Sequence, residues 1–248
     1  RDVGKKFGAV VAAANINIEI NAGERVSLIG SNGAGKTTFV NMITGFVRPD
    51  SGSIALGDTD ISRMTPRQIT RMGVARSFQI PQLYPSMTVL ENMLVALACH
   101  ENRLSTWLPA ATSARVLRAD EVLSRFNLLK HRDRLVSELP GGLRKLIDIA
   151  LAMTGAPRLL LLDEPTSGVA AEEKFPMMDT IMLALEGQAL TVLFVEHDMD
   201  IVNRYCDRVV AFYSGRIIAD DVPSVALAQT DVRRYVTGER LPEDAPHA

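Results

Sequence analysis

The sequence predicts an α/β fold with a parallel-sheet core, an N-terminal antiparallel β region and a helical subdomain set into the middle of the chain. Three observations carry that prediction. A short buried-strand pattern over residues 26–29 runs into a glycine-rich loop and then a helix. Compact apolar runs at 158–163 and 190–196 flank a helix-like stretch at 172–185, the βαβ rhythm of a parallel sheet. Residues 77–150 have few β-branched runs and show helical spacing.

Taken in order, Arg1-Asp2-Val3 reads as the end of a strand already under way. No charged n-region and apolar h-region precede it, so no export signal is visible and the natural start is expected upstream. Residues 15–20, Asn-Ile-Asn-Ile-Glu-Ile, alternate polar and apolar as a strand with one buried face does. After turn residues 21–24 comes the buried strand at 26–29, and a helix should run from Lys36 to about Gly45. Residues 50–52 form a turn, 53–56 a strand and Gly57-Asp58 another turn. A helix then starts near Thr65-Pro66, where proline suits a first turn. Helical spacing recurs at 89–98, 114–126 and 143–153. Beyond the βαβ segment, 209–213 and 216–219 predict a hairpin hinged at Ser214-Gly215, and 242–248 carry no structural signal. The expected organisation is one domain over 1–240. Its core spans about 1–76 and 151–222, its helical subdomain about 77–150, and a C-terminal helix and tail occupy 223–248.

Composition narrows the function classes. With 248 residues and 47% hydrophobic content the chain can bury a sizeable core, which excludes disordered, collagen-like and small disulfide-stapled classes. Lys and Arg number 27 against 29 Asp and Glu, a balance that argues against a protein occupied with neutralising nucleic-acid phosphates. Cys99 and Cys206 both sit in apolar, helix-like stretches and read as buried thiols of a reducing compartment, the cytosol. The longest uncharged run, 77–90, is interrupted by Pro81 and Pro85 and is well short of the roughly 20 apolar residues that cross a bilayer.

Gly30-Ser31-Asn32-Gly33-Ala34-Gly35-Lys36-Thr37-Thr38 fits G-x-x-x-x-G-K-[ST] between a strand and a helix, the context that makes this motif informative. The glycines let backbone N–H groups turn inward onto phosphate oxygens, and the helix N-terminus adds its positive dipole end. Lys36 brings a point charge to the β and γ phosphates, and the Thr37 hydroxyl can ligate Mg²⁺. In Leu159-Leu160-Leu161-Leu162-Asp163-Glu164 a strand delivers two carboxylates to the carboxyl edge of the sheet, where the phosphate loop also belongs. Asp163 can hold the Mg²⁺ shell. Glu164, one residue on, suits a general base facing a water near the γ-phosphate. The strand at 192–195 delivers His197 to the same edge, where a neutral imidazole could donate to the γ-phosphate; by position alone a single histidine is more often a satisfied surface or core residue.

This ordered set of motifs resembles the ATP-binding-cassette (ABC) ATPases over nearly the whole chain. Within them it is similar to the cassettes of branched-chain amino-acid and urea importers. Lys6-Phe7-Gly8, Ala75-Arg76-Ser77-Phe78-Gln79, Met87-Thr88-Val89-Leu90-Glu91-Asn92, Val195-Glu196-His197-Asp198-Met199, the segment 100–114 and the closing Arg234-Tyr235-Val236-Thr237-Gly238-Glu239 carry that likeness. The resemblance implies a P-loop NTPase fold with a RecA-like core, ATP and Mg²⁺ as ligands, and ATP hydrolysis. It implies that Phe7 lies against adenine, and that Gln79 contacts Mg²⁺ or the attacking water and moves with the helical subdomain. It also makes Leu139-Pro140-Gly141-Gly142-Leu143 the signature segment, which meets the nucleotide of an opposite subunit. Two departures stand out: Pro140 replaces the usual serine, removing a donor worth roughly 1.5–3 kcal/mol, and Ala170 ends Ser167-Gly168-Val169-Ala170 where an aspartate is usual. Both fall on parts that face the other subunit, which favours a heterodimer with a non-identical cassette beside the homodimer alternative.

The function implied is the energy-supplying subunit of a membrane importer, peripheral on the cytoplasmic face of the inner membrane. Its implied partners are permease subunits docked near residues 79–92, a second cassette and, indirectly, a periplasmic solute-binding protein, with no nucleic acid. The competing class is a soluble ABC-type ATPase acting on nucleic acid or ribosomes. It predicts tandem cassettes, coiled-coil insertions and basic surfaces, none of which is seen here. A kinase or GTPase would want a lid or an Asn-Lys-x-Asp, also not found.

Overall fold

The computed structural model describes residues 1–101 and 111–238. Most of the segment 100–114 and the tail from 239, both read above from sequence, lie outside the described residues. Along the chain come β1 (Val3–Phe7), β2 (Val10–Ile16), β3 (Arg25–Gly30), α1 (Lys36–Ile43), β4 (Ala55–Leu56), β5 (Thr59–Asp60), α2 (Pro66–Arg71) and β6 (Val74–Ser77). Then follow α3 (Val89–His100), α4 (Ser113–Arg125), α5 (Gly141–Met153), β7 (Leu159–Asp163), α6 (Ala171–Leu185) and β8 (Thr191–Val195). The chain closes with α7 (Met199–Tyr205), β9 (Arg208–Tyr213), β10 (Arg216–Asp221), α8 (Pro223–Ala226) and α9 (Thr230–Tyr235). Helices and parallel and antiparallel strands make this an α/β fold.

The chain forms two compact units, Arg1–Thr70 with Leu193–Ala248, and Arg71–Val192. In the first, β3 is apolar on both faces, with Val26, Leu28 and Ile29 fully buried, as a strand covered on both sides must be. It pairs in parallel with β9, from Val26 opposite Arg208 to Gly30 opposite Phe212. The β9–β10 hairpin is antiparallel, as its turn residues predict. Phe39 of α1 packs on Phe212 with ring centroids 5.4 Å apart. At the far side of this layer Ile29, Val202, Val209, Ala211 and Ala219 form one cluster with Ala226 of α8 and Val232 of α9. The C-terminal segment therefore completes the core.

Three local expectations need correction. Residues 15–20 are not a strand: β2 runs earlier and stops at Ile16, because Asn15 takes a left-handed φ of 55° and Asn17 turns its amide back onto Asp2. Arg1-Asp2-Val3 is not the end of a strand: β1 begins at Val3, runs to Phe7 and pairs antiparallel with β2. Cys99 is exposed. Cys206 is buried as expected, just past α7, and desolvation pushes its thiol up to about 12, so it stays protonated and inert.

In the second unit α3 opens on a reciprocal cap: the Thr88 N–H donates to Glu91 Oε2 at 2.7 Å and the Glu91 N–H to Thr88 Oγ1 at 3.2 Å. It buries Val89, Met93 and Leu97 and packs against α4, which buries Ala119 and Leu123, and against α5, which buries the run Leu146 to Ala150. The strands β6 and β7 pair in parallel, Val74 opposite Leu159 through Ser77 opposite Leu162. Thus residues 78–79 and 163–164 leave the sheet together at its carboxyl edge.

If α8 and α9 are part of the core, Val232→Ala should lower unfolding free energy by roughly 1.5–3 kcal/mol in urea denaturation, the range for losing two buried methyl groups and leaving their cavity. A change below about 0.5 kcal/mol would show the segment to be an appendage.

Candidate functional site

In the first unit, Leu28 and Ile29 anchor the strand that leads into the glycine loop. Ser31, Asn32 and Gly33 lie exposed, Ala34 is buried, and α1 starts at Lys36 without a side-chain cap. Its first-turn N–H groups, with the positive end of the helix dipole, are thus left to an anion. Gly35 precedes the helix at φ 108°, and a Cβ there would strike the Ala12 carbonyl oxygen of β2. From the other side Gly215, in the β9–β10 turn, donates its N–H to Ala34 O at 2.9 Å and accepts from the Ala14 N–H at 2.8 Å. Backbone contacts to β2 and to the hairpin therefore fix the loop. Lys36 is only 6% exposed, and its ammonium is held inside the loop by the carbonyls of Gly30 and Ser31. Thr37 is exposed at the start of α1, with Thr38 half-buried.

Phe7, at the end of β1, is half exposed with the Lys5 ammonium 5.3 Å from its ring centroid. Such a ring is available for stacking, unlike a core phenylalanine. His197 follows β8 and is exposed; its N–H donates to the buried Glu196 carboxylate at 3.1 Å. Asp198 then caps α7.

In the second unit the structure brings Gln79, Asp163 and Glu164 together. The Gln79 amide donates to Glu164 Oε2 at 2.6 Å. Glu164 has left-handed backbone, φ 49°, costly for a residue with a Cβ and frequent where function fixes a side chain. Lys145 donates to the Glu164 carbonyl at 2.7 Å. Asp163 accepts from Arg76 at 2.6 Å in a pair whose side chains are 8% and 12% exposed, and the same guanidinium lies 4.8 Å from the Phe78 ring centroid. Within this unit Asp163 and Gln79 carry side-chain oxygens, and in the first unit Thr37 carries a hydroxyl, the donor chemistry that suits Mg²⁺.

The Leu139 side chain is buried, whereas Pro140 and Gly141 are exposed and Pro140 is the N-cap of α5. A Cβ on Gly141 would meet nothing within 4 Å, and one on Gly142 only Val169 at 4.0 Å. Neither glycine has positive φ. Packing within this chain thus gives no reason for glycine at either position. Ser167 and Gly168 are exposed, half-buried Val169 follows them, and Ala170 leads into α6.

Sequence reasoning quoted Arg76 only as part of a motif and passed over Lys145 and Asp148. The signal for Asp148 was a lone acid in the apolar helical run Leu146-Ile147-Asp148-Ile149-Ala150.

A family model described as ABC transporter matches residues 13–167. The chain is 38% identical over 244 residues to the high-affinity branched-chain amino acid transport ATP-binding protein LivG of Escherichia coli (strain K12), covering 94% of each chain. Among solved structures it is similar to the ADP conformation of MJ1267, an ATP-binding cassette of an ABC transporter, with TM-score 0.85 and 33% identity over 94% of this chain and 95% of that one. It is also similar to the dimeric post-hydrolysis state of the cassette MJ0796 bound to ADP and Pi, with TM-score 0.76 and 25% identity over 90% of this chain and 97% of that one.

Because Gly35 abuts the Ala12 carbonyl at positive φ, Gly35→Ala should displace the loop and weaken binding of a fluorescent nucleotide at least tenfold while the far-UV dichroism is retained. Unchanged affinity would mean that the loop geometry is not what holds the ligand.

Proposed function

Since the chain belongs to the ABC transporter family, as a cassette that binds and hydrolyses ATP, we propose that it powers import of branched-chain amino acids or a similar small polar solute such as urea. The observation that carries the solute class is the end-to-end likeness to LivG, 94% of both chains. We further assign it a second cassette and membrane permease subunits as partners, a solute-binding protein acting through them, and a peripheral seat on the cytoplasmic face of the inner membrane. Among the described residues no helix is long and apolar enough to cross a membrane. A cassette acting on nucleic acid or ribosomes is not favoured, since the charge balance is slightly acidic.

In this reading the N–H groups of residues 30–38 and the α1 N-terminus grip the triphosphate, and Lys36 exchanges its loop carbonyls for β- and γ-phosphate oxygens. Phe7 stacks on adenine. Thr37, Asp163 and Gln79 would hold Mg²⁺, which supplies charge neutralisation on the phosphates when bound. Asp163 would release Arg76 to do so. Glu164 takes the proton of the attacking water, Gln79 orients that carboxylate, and His197 donates to the γ-phosphate.

Pro140, Gly141 and Gly142 would meet the nucleotide of the partner cassette. Glycines that the chain's own packing does not require are explained by close approach of another molecule's group, here phosphate. The missing hydroxyl at Pro140 and the missing carboxylate at Ala170 favour a non-identical partner cassette.

Glu164→Gln should cut ATP turnover by about 10²- to 10⁴-fold while nucleotide affinity stays within twofold; unchanged turnover rejects the base assignment. Expressed with its permease, the chain should pellet with membranes, wash off at high pH, and support ATP-dependent uptake of leucine or urea into vesicles. Recovery only in the soluble fraction, together with ribosomes or nucleic acid, would favour the other class.

A further inference from the structure

The carboxylate of Asp148, in the third turn of α5, is only 6% exposed and points at the loop that carries Gln79. Its Oδ2 accepts the Ser77 hydroxyl at 2.7 Å and the Phe78 N–H at 3.1 Å, and its Oδ1 accepts the Gln82 N–H at 2.9 Å. Gln79 lies between those two backbone anchors and reaches Glu164 with its amide. Burial pushes the Asp148 pKa up, and the Ser77, Gln82 and Phe78 bonds and the nearby Lys145 charge pull it back. A desolvated carboxylate is an expensive way to hold a loop, since an apolar contact would cover the same helix face at no such cost.

What the carboxylate adds is direction. Three donors converge on one side chain, so the loop's path at residues 77–82 is set by the position of α5, the helix whose N-terminus is Gly141-Gly142. One turn earlier on that helix, Lys145 holds the Glu164 carbonyl. The same rigid element thus grips the loop that presents Gln79 and the backbone that presents Glu164.

We propose that Asp148 is a positioning residue for ATP hydrolysis: it clamps the Gln79 loop to the signature helix, so that Gln79 meets Glu164 only while the clamp holds. This rests on the roles given above to Gln79 and Glu164. Asparagine at 148 keeps the size but presents an NH₂ to a site furnished with donors, so at least one of the three bonds is lost and a donor faces a donor.

The test uses the full chain assembled with its permease and partner cassette. Asp148→Asn should lower kcat about tenfold with KM for ATP within twofold, and Ser77→Ala, which removes one donor and leaves the carboxylate, should lower it about threefold. Gln79→Ala added to Asp148→Asn should cost little more than Gln79→Ala alone, because both act through one contact. In parallel, hydrogen exchange at the Phe78 and Gln82 amides should quicken in Asp148→Asn while amides of the α5 interior keep their protection.

Fully additive losses in kcat, or a KM that rises as much as kcat falls, overturn the positioning role. Unchanged exchange at both amides overturns the clamp itself. If Gln79→Ala alone leaves kcat intact while the amides quicken in Asp148→Asn, the clamp is real and it is the Gln79 role that has failed.

Discussion

The ammonium of Lys36 is buried inside the loop that it serves, and much of the first unit is arranged to make that tolerable. A charge taken out of water must find oxygen, and the carbonyls of Gly30 and Ser31 supply it. They can do so only if the chain leaves β3 at Gly30 and doubles back at once. That path is held by Gly35 against the β2 backbone and by the Gly215 backbone bonds to Ala34 and Ala14. The buried Val26, Leu28 and Ile29 of β3 and the Phe39–Phe212 contact then fix the floor on which the loop sits. An anion that draws the lysine away from its carbonyls replaces one set of oxygens with another of higher charge, so the loop need not refold to bind it.

The second unit solves a different problem, that of holding acids in place. Asp163 leans on Arg76, which is itself braced against the Phe78 ring. Glu164 is tied at its carboxylate by Gln79 and at its carbonyl by Lys145. The parallel register of β6 and β7 brings the two loops out side by side, since Ser77 lies opposite Leu162. Strand register, not loop sequence, therefore decides which glutamine meets which acid.

Much of this was legible in the chain. The strand–glycine–helix order at 25–43 and the leucine run ending in Asp163-Glu164 each carry their own physical signal. The failures are equally physical. Asn15 to Ile20 alternates cleanly, but asparagine accepts left-handed backbone and its side chain competes for local bonds, so a period-2 pattern there ends a strand instead of building one. Val74 to Ser77 is too short and too polar to stand out, because a strand of four residues with Arg76 in it is recognisable only from its pairing with β7. Cys99 sits in an apolar helix but falls outside the buried stripe set by Val89, Met93 and Leu97. Asp148 was visible as an acid in an apolar run, yet its partners are two backbone amides and a hydroxyl, which no residue pattern announces.

The left-handed backbone at Glu164 links the strain at the site to its rigidity. A residue with a Cβ at φ 49° costs on the order of 1–3 kcal/mol and persists only where neighbours over-determine it. Pro165 follows it, and Ser167 donates to its carbonyl, as does Lys145 of α5. Because α5 also carries Asp148, the helix that fixes the acid's backbone fixes the path of the glutamine loop as well. In the hydrolysis proposed for this site, a carboxylate prepared in this way would not have to be organised at the moment of reaction, which is where fixed polar groups outperform water as a solvent for a transition state. The strain is thus borne by packing and bonds inside one unit.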